Sequence, residues 1–178
     1  MLKHVGIGNL IICNVPESEL RDTKKCTRLE GIQLFSEPLN ALPGMPISRM
    51  ILLDQCATDE LSPSDDTAYD YVVCGGILGT DEFEGPVVDR TAEIRQKGVA
   101  CRHLGSVQMT ADTAVIVAHR IVNEGQRLGE MAFVDRPSIA LSKHELVEMP
   151  FRYLAVDANT HKPMLPEGMV DLWRRDGF

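Results

Sequence analysis

The sequence of 178 residues contains no long apolar run, and no apolar core follows the basic start at residues 1–4. We therefore expect neither a membrane span nor a secretory signal. Positive charge is also scarce, because 18 Lys and Arg face 26 Asp and Glu, which leaves a net charge of −8. Proteins that grip nucleic acid through phosphates need the opposite balance. The composition therefore favours a small molecule or a basic partner.

Motifs for metal binding and for nucleophilic catalysis are missing as well. The five cysteines stand at 13, 26, 56, 74 and 101, so none forms a Cys-x-x-Cys pair, and the five histidines are scattered. The Gly-x-Ser-x-Gly pattern of many hydrolases is absent. We therefore expect no metal site and no serine or cysteine hydrolase chemistry. The cysteines are expected to be reduced thiols of a cytoplasmic protein, mostly small buried side chains.

Short apolar runs alternate with helical patterns along the chain, which is typical of an α/β fold with a largely parallel sheet. The predicted strands are residues 9–15, 32–35, 50–53, 71–74, 99–102, 133–134 and 149–156. The predicted helices are residues 17–29, 89–97, 110–122 and 167–175. Residues 36–48 and 55–69 are predicted connections, since they are rich in proline or polar side chains.

Two of these helix patterns carry further information. The strongest follows Thr110, the predicted N-cap, and has Asp112 in its first turn. Its predicted apolar face consists of Ala114, Val115, Ala118, Ile121 and Val122. The first helix carries a basic stripe at helical spacing, made of Arg21, Lys24, Lys25 and Arg28. A solvated face is the favoured interpretation of this stripe, and a contact with RNA or the ribosome is the alternative.

Two glycine-containing segments follow predicted strands, at residues 74–79 (CGGILG) and 104–110 (LGSVQMT). Ligands of open α/β sheets bind beyond the carboxyl ends of the strands, and the second segment leads into a helix N-terminus that can receive an anion. The first segment is neither a dinucleotide fingerprint nor a P-loop. The residues alone therefore leave two interpretations open, a structural turn and a ligand-binding loop.

Five motifs along the chain carry a resemblance to known enzymes. They are CGGILG at 74–79, DRT at 89–91, RHLGSVQMTADTA at 102–114, EMPFRY at 148–153 and KPMLPEGMVDL at 162–172. Together they resemble the SPOUT-class (α/β-knot) S-adenosylmethionine-dependent methyltransferases. The most similar branch contains the fungal enzyme that methylates an arginine of a small-subunit ribosomal protein. The resemblance covers roughly residues 5–173.

The resemblance implies a SPOUT fold with a C-terminal trefoil knot, in which loops of the knot hold S-adenosyl-L-methionine. The implied cofactor-binding residues follow three predicted strands and are Leu53, Asp54, Gly75, Gly76, Ile77, Leu78, Gly79, Leu104, Gly105, Gln108, Met109 and Thr113. It further implies a methyltransferase domain at residues 1–142 and an extension packed on it at residues 143–178. By the same comparison, the first strand of the family and most of its first helix are expected to be missing.

An enzyme of this branch must orient a guanidinium, which is protonated at neutral pH and carries only donors. Carboxylates bind such a group well. The acids nearest the glycine loop are Asp81, Glu82, Glu84 and Asp89. Asp81 and Asp89 are our candidate catalytic residues, although Asp89 is also a candidate helix N-cap.

The acidic loop and the net charge favour a basic protein substrate over RNA. The resemblance makes a small-subunit ribosomal protein the expected partner, and it favours a monomer over a homodimer. Two alternatives stay open. One is a SPOUT RNA methyltransferase that acts on rRNA or tRNA, and the other is a module that binds the cofactor without catalysis.

Overall fold

The structure, a computed structural model, describes residues 1–23, 29–75, 91–143 and 145–176. Within these ranges the α-helices are α1 (Leu2–Val5), α2 (Glu17–Thr23), α3 (Ala92–Arg95), α4 (Ala111–Val122) and α5 (Met169–Asp176). The strands are β1 (Leu10–Ile12), β2 (Ile32–Leu34), β3 (Met50–Leu53), β4 (Tyr71–Val73), β5 (Ala100–Arg102), β6 (Phe133–Asp135), β7 (Ser138–Ala140), β8 (Leu146–Glu148) and β9 (Arg152–Leu154). Short 3-10 helices lie at Leu39–Ala41, Ile47–Arg49, Pro63–Thr67 and Leu128–Glu130.

The central sheet consists of three parallel strands in the order β4-β3-β5. Its middle strand is covered on both faces, so Met50, Ile51 and Leu52 are at most 1% exposed. A strand buried on both faces has no polar side chains to alternate with apolar ones. This explains why the uninterrupted run at 50–53 predicted the strand correctly.

The expectation of one largely parallel sheet is confirmed only in part. A second parallel sheet pairs β1 with β2, and two separate pairs, β6–β9 and β7–β8, are antiparallel. The antiparallel pairs belong to the C-terminal region, by which we mean residues 133–143 and 145–176. The α/β class is therefore correct, while the second half of the chain departs from a parallel arrangement.

Several predicted elements are shorter than the sequence pattern suggested. The run at 9–15 contributes only β1. The run at 149–156 contributes only β9, and Pro150 near its start has no N–H to donate to a sheet. The helix predicted at 89–97 is α3, which ends at Arg95, and Gly98 at a φ of +80° breaks the chain direction soon after. Of the helix predicted at 17–29, α2 covers Glu17–Thr23, and residues 24–28 lie outside the described ranges.

The long helix α4 lies against the main core, the largest buried cluster, which also contains Ile51 of β3 and Leu154 of β9. The predicted Thr110 is confirmed as its N-cap, and Asn123 is its C-cap. The predicted face is confirmed for Ala118 and Ile121, which are buried, and for Ala114 and Val122, which pack half-buried against this core, but the half-buried Val115 is not part of it. The buried residues are Thr113, Ile116, Val117, Ala118 and Ile121. Their spacing of three and four residues keeps them on one side of the helix.

The C-terminal region has a small core of its own. Leu141, Val147, Met149 and Tyr153 are its buried members, and α5 adds Trp173 from one side. The hairpin β7–β8 was not predicted, since each strand has only three residues. One strand of this hairpin precedes residue 142 and the other follows it, so the hairpin links the two predicted parts, residues 1–142 and 143–178. The division into these two parts stays a prediction.

The described cysteines differ from the expectation of buried side chains. Cys56 is exposed, whereas Cys13, Cys74 and Cys101 are half-buried, and all four are free thiols. Cys26 and most of the basic stripe lie outside the described residues, apart from Arg21, whose backbone belongs to α2. Among the described helices, none is long and apolar enough to cross a membrane.

Candidate functional site

The carboxyl ends of the three central strands meet at one edge of the sheet. Leu53 at the end of β3 pairs with Arg102 at the end of β5, and Leu52 pairs with Val73 at the end of β4. Parallel pairing therefore brings together the segments that follow residues 53, 73 and 102. The described cofactor residues that the resemblance implied belong to the end of β3 or to the chain that follows these strand ends; they are Leu53, Asp54, Gly75, Leu104, Gly105, Gln108, Met109 and Thr113.

Asp54 is the first residue after β3, and it is 5% exposed. Its Oδ1 accepts a hydrogen bond from the N–H of Cys56 at 2.9 Å, and its Oδ2 accepts one from Nε of Arg95 at 2.5 Å. Both oxygens are thus occupied within the protein. Asp54 holds the turn after β3 and ties α3 to the edge of the sheet, so we assign it as a positioning residue. Leu53 beside it is half-buried against the main core.

Backbone hydrogen bonds to residues 59–61 hold the start of the segment after β5. The N–H of His103 donates to the carbonyl of Asp59 at 2.9 Å, and the N–H of Leu61 donates to the carbonyl of His103 at 3.0 Å. The N–H of Gly105 donates to Nδ1 of His103 at 3.0 Å. Gly105 has a φ of +84°, a conformation that side-chain-bearing residues rarely adopt, so glycine is required by this turn.

The remaining predicted residues of this segment have distinct placements. The side chains of Leu104 and Met109 are each 9% exposed and pack in the main core, so it is their backbone that remains available to a ligand. Gln108 is half-buried, and its carbonyl accepts the N–H of Arg152 from β9 at 2.9 Å. Thr113 is 1% exposed, and its hydroxyl lies 2.8 Å from that of Thr110. Thr110 therefore occupies the N-cap position of α4, but its hydroxyl bonds to Thr113 and does not accept a hydrogen bond from a backbone N–H of the helix.

The glycine loop after β4 is described only at its start. Gly75 is half-buried beside Cys74, and burial raises the pKa of the Cys74 thiol to about 12. The thiol is therefore neutral at physiological pH and a weak nucleophile. The other predicted residues of this loop lie outside the described residues; they are Gly76, Ile77, Leu78, Gly79, Asp81 and Asp89, with the neighbouring acids Glu82 and Glu84.

Two arginine pairs at this edge were not predicted from the sequence. Arg95 pairs with Asp54, as described above. Arg102 donates to both oxygens of Asp65, at 3.0 Å from Nη2 and 3.3 Å from Nε, and Asp65 also accepts the N–H of Ser62 at 3.0 Å. The partners are 41 and 37 residues apart in sequence, so no local pattern identified them.

A third arginine pair lies within the C-terminal region and joins β9 to β6. Arg152 of β9 donates to both oxygens of Asp135 in β6, at 2.6 Å and 2.8 Å, and its guanidinium lies over the ring of Phe133. This hydrogen bonding lowers the pKa of Asp135. In the described part of the chain, no three His, Cys, Asp or Glu side chains converge on a possible metal site.

Comparisons with known proteins agree on one group of enzymes. A family model described as "Protein arginine N-methyltransferase SFM1-like" matches residues 1–177. Protein arginine N-methyltransferase SFM1 of Saccharomyces cerevisiae is 38% identical over 192 residues, covering 99% of this chain and 85% of the relative.

Solved structures give the same answer. The crystal structure of the yeast arginine methyltransferase SFM1 complexed with SAM superimposes with a TM-score of 0.83 at 36% identity, covering 99% of this chain and 81% of the other. The structure of the same enzyme complexed with SAH gives a TM-score of 0.81 at 37% identity, covering 96% and 83%. The fold and the sequence are therefore similar over nearly the whole chain.

Proposed function

The chain belongs to the SFM1-like protein arginine N-methyltransferase family, and from this premise we propose that it methylates an arginine of a basic protein with S-adenosylmethionine. The observation that carries the proposal is the near full-length similarity to a yeast enzyme whose structure holds SAM. The positions of Leu53, Asp54, Gly75 and Leu104 support it, since they lie at or just after the carboxyl ends of the three central strands.

The residues after β5 fit a nucleoside cofactor. Within the described residues, the backbone N–H groups of Ser106, Val107 and Gln108 have no hydrogen-bond partner, so they are free to bind a polar ligand. Val107 itself adds an exposed apolar side chain to this stretch. Donors of this kind beside apolar side chains are what an adenine ring requires. We propose that residues 53–54, 75–79 and 104–113 hold the cofactor.

When bound, S-adenosylmethionine supplies a methyl group on a positively charged sulfur. In the overall reaction the sulfur–methyl bond breaks, a bond from methyl carbon to guanidinium nitrogen forms, and the nitrogen loses one proton. The protein must position the arginine side chain and accept hydrogen bonds from its N–H groups. Asp81 and Asp89 remain our candidate catalytic acids.

The substrate is proposed to be a basic protein, and specifically one from the small ribosomal subunit. The net charge of −8 draws cationic proteins to this chain and repels RNA. We further propose a monomer located in the cytoplasm. A C-terminal trefoil knot and the division into residues 1–142 and 143–178 complete the proposal. The resemblance of the five sequence motifs supports the knot, and a crystal structure traced through the whole chain would test it.

The test is transfer of labelled methyl groups from S-adenosylmethionine to purified small-subunit ribosomal proteins and, in parallel, to rRNA and tRNA. We expect label in protein, recovered as methylarginine after hydrolysis. The control pair is Gly105→Val, which blocks a turn with positive φ, and Gly129→Val, where a side chain meets open space. Label in RNA would favour the RNA methyltransferase, and cofactor binding without transfer would favour the non-catalytic module.

A further inference from the structure

The segment after β5 and the start of α4 face β9 of the C-terminal region. The N–H of Arg152 bonds the carbonyl of Gln108, and Met109 and Arg152 form an isolated parallel bridge. The next residue of β9, Tyr153, packs its ring into the C-terminal core. The strand thereby brings Tyr153 next to the proposed cofactor segment and to the first turn of α4.

The hydroxyl of Tyr153 is an unusual group in this place. Tyr153 is 2% exposed, and its hydroxyl makes no hydrogen bond within the described residues. Among the described residues, no side-chain nitrogen or oxygen is both fully buried and without a hydrogen-bond partner. The unpaired hydroxyl of Tyr153 is therefore accessible from outside the core. A buried tyrosine normally finds a partner for its hydroxyl. An unpaired hydroxyl at the end of a buried ring points to a ligand.

Asp112 supplies a free carboxylate at the start of α4, the helix that lies against β9. Burial, together with the nearby negative charge of Asp112, raises the pKa of Tyr153 to about 12, so the hydroxyl stays protonated. Asp112 is half-buried in the first turn of α4, and neither of its oxygens makes a hydrogen bond or ion pair within the described residues. Three other carboxylates of this neighbourhood, Asp54, Asp65 and Asp135, are already bound by arginines.

We propose that Asp112 and Tyr153 receive the guanidinium of the substrate arginine. A guanidinium has five N–H donors and no acceptor, so it needs oxygens whose lone pairs are free. Asp112 offers two such oxygens and a negative charge, and the Tyr153 hydroxyl offers a third. Asp112 lies within the proposed cofactor segment at 104–113, although it is not one of the predicted cofactor-binding residues, so a guanidinium bound here lies close to the cofactor. This inference rests on the proposed function and adds the residues that recognise the substrate.

The alternative is a purely structural role for both residues. An aspartate in the first turn stabilises a helix through its dipole, and the Tyr153 ring fills the C-terminal core. A structural role predicts that substitutions lower the unfolding midpoint. Substrate recognition predicts that they weaken peptide binding while the midpoint and the cofactor affinity stay unchanged.

The experiment measures binding by calorimetry in the presence of S-adenosylhomocysteine. The two probes are a lysine-rich peptide with one central arginine and the same peptide with citrulline, which has the shape of arginine without its charge. We expect the wild-type chain to bind the arginine peptide about tenfold more tightly than the citrulline peptide. Asp112→Asn should abolish this preference. Tyr153→Phe should weaken arginine binding about threefold, a loss of one hydrogen bond.

Each variant has a matched control in the same chain. Asp171→Asn removes the same charge from the first turn of another helix, α5, and Tyr71→Phe removes the hydroxyl of a half-buried tyrosine in β4. Both controls should keep the preference for arginine. An unchanged preference in Asp112→Asn overturns the inference, and so does a wild-type chain that does not distinguish the two peptides. A wild-type chain that prefers arginine but transfers no methyl group supports this inference and contradicts the proposed function.

Discussion

The central sheet and the C-terminal region stabilise their strands in different ways. In β3 three successive residues are at most 1% exposed, because both faces of the sheet are covered. In β8 only the middle residue, Val147, is buried, while Leu146 is 71% exposed. The central strand therefore packs into a core on each of its faces, whereas the hairpin β7–β8 rests on the small C-terminal core alone.

This difference matters for the site, because each region supplies a different part of it. The central sheet holds the proposed cofactor segments through Asp54 and the hydrogen bonds of His103. The C-terminal region brings Tyr153 to the same place through β9. Cofactor binding thus depends on the main core, whereas the proposed substrate recognition draws on both cores, through Asp112 of α4 and Tyr153 of β9.

The largest expected effect comes from a matched pair of core truncations. Leu52→Ala in β3 should cost about 4 kcal/mol of unfolding free energy, because the fully buried central strand cannot collapse around the cavity. Leu141→Ala should cost about 2 kcal/mol, since the smaller C-terminal core relaxes more easily. Urea unfolding followed by circular dichroism measures both. Equal losses would show that the two cores are equally rigid.

The second largest effect concerns the ion pair between the buried carboxylate of Asp54 and the partly exposed guanidinium of Arg95. Asp54→Ala should cost about 2 kcal/mol, because it removes the carboxylate that binds both Arg95 and the N–H of Cys56. Asp70→Ala is the control, since the pair of Asp70 with Arg49 is exposed to solvent. It should lose much less, and affinity for S-adenosylmethionine should fall in the first variant alone. A similar loss in both would remove the positioning role of Asp54.

The sequence predicted the central sheet well and the C-terminal region poorly, for a physical reason. A strand buried on both faces is an uninterrupted apolar run, which is visible in MILL at 50–53. A strand of three residues with one buried member, such as β8, leaves no pattern that differs from a polar loop. The hairpin β7–β8 was missed for this reason.

The candidate site divides in the same manner. The turn at Gly105 and the helix start at Thr110 are local features, so residue types alone placed them at a strand end. The pairs Arg95–Asp54 and Arg102–Asp65 depend on side chains that only the folded sheet brings together. Tyr153 lay within a recognised motif, but its unpaired hydroxyl is a property of packing that the sequence does not contain.

A smaller effect is expected at the turn of the cofactor segment. Gly105→Ala should cost about 1–2 kcal/mol, because alanine at a φ of +84° is strained, even though its Cβ would lie an acceptable 3.5 Å from Leu128. Gly129→Ala, whose backbone has no positive φ and open space around it, should be nearly neutral. Thermal unfolding and cofactor titration of both variants make the test. Unchanged cofactor affinity in Gly105→Ala would mean that this turn does not shape the site.

The smallest effect is a pH dependence confined to the C-terminal region. The hydrogen bonds from Arg152 hold the pKa of Asp135 below its usual value. A lowered pKa in the folded state adds stability above the unfolded pKa of about 3.9, and this stability is lost as the pH falls through the folded pKa. Because the Asp135 side chain is 51% exposed, its contribution should stay below about 1 kcal/mol. Urea unfolding of the wild type and Asp135→Asn should therefore differ at neutral pH and converge in acid. A difference that persists in acid would mean that Asp135 acts through packing, and β6 and β9 would then be joined by their shared core instead of by charge.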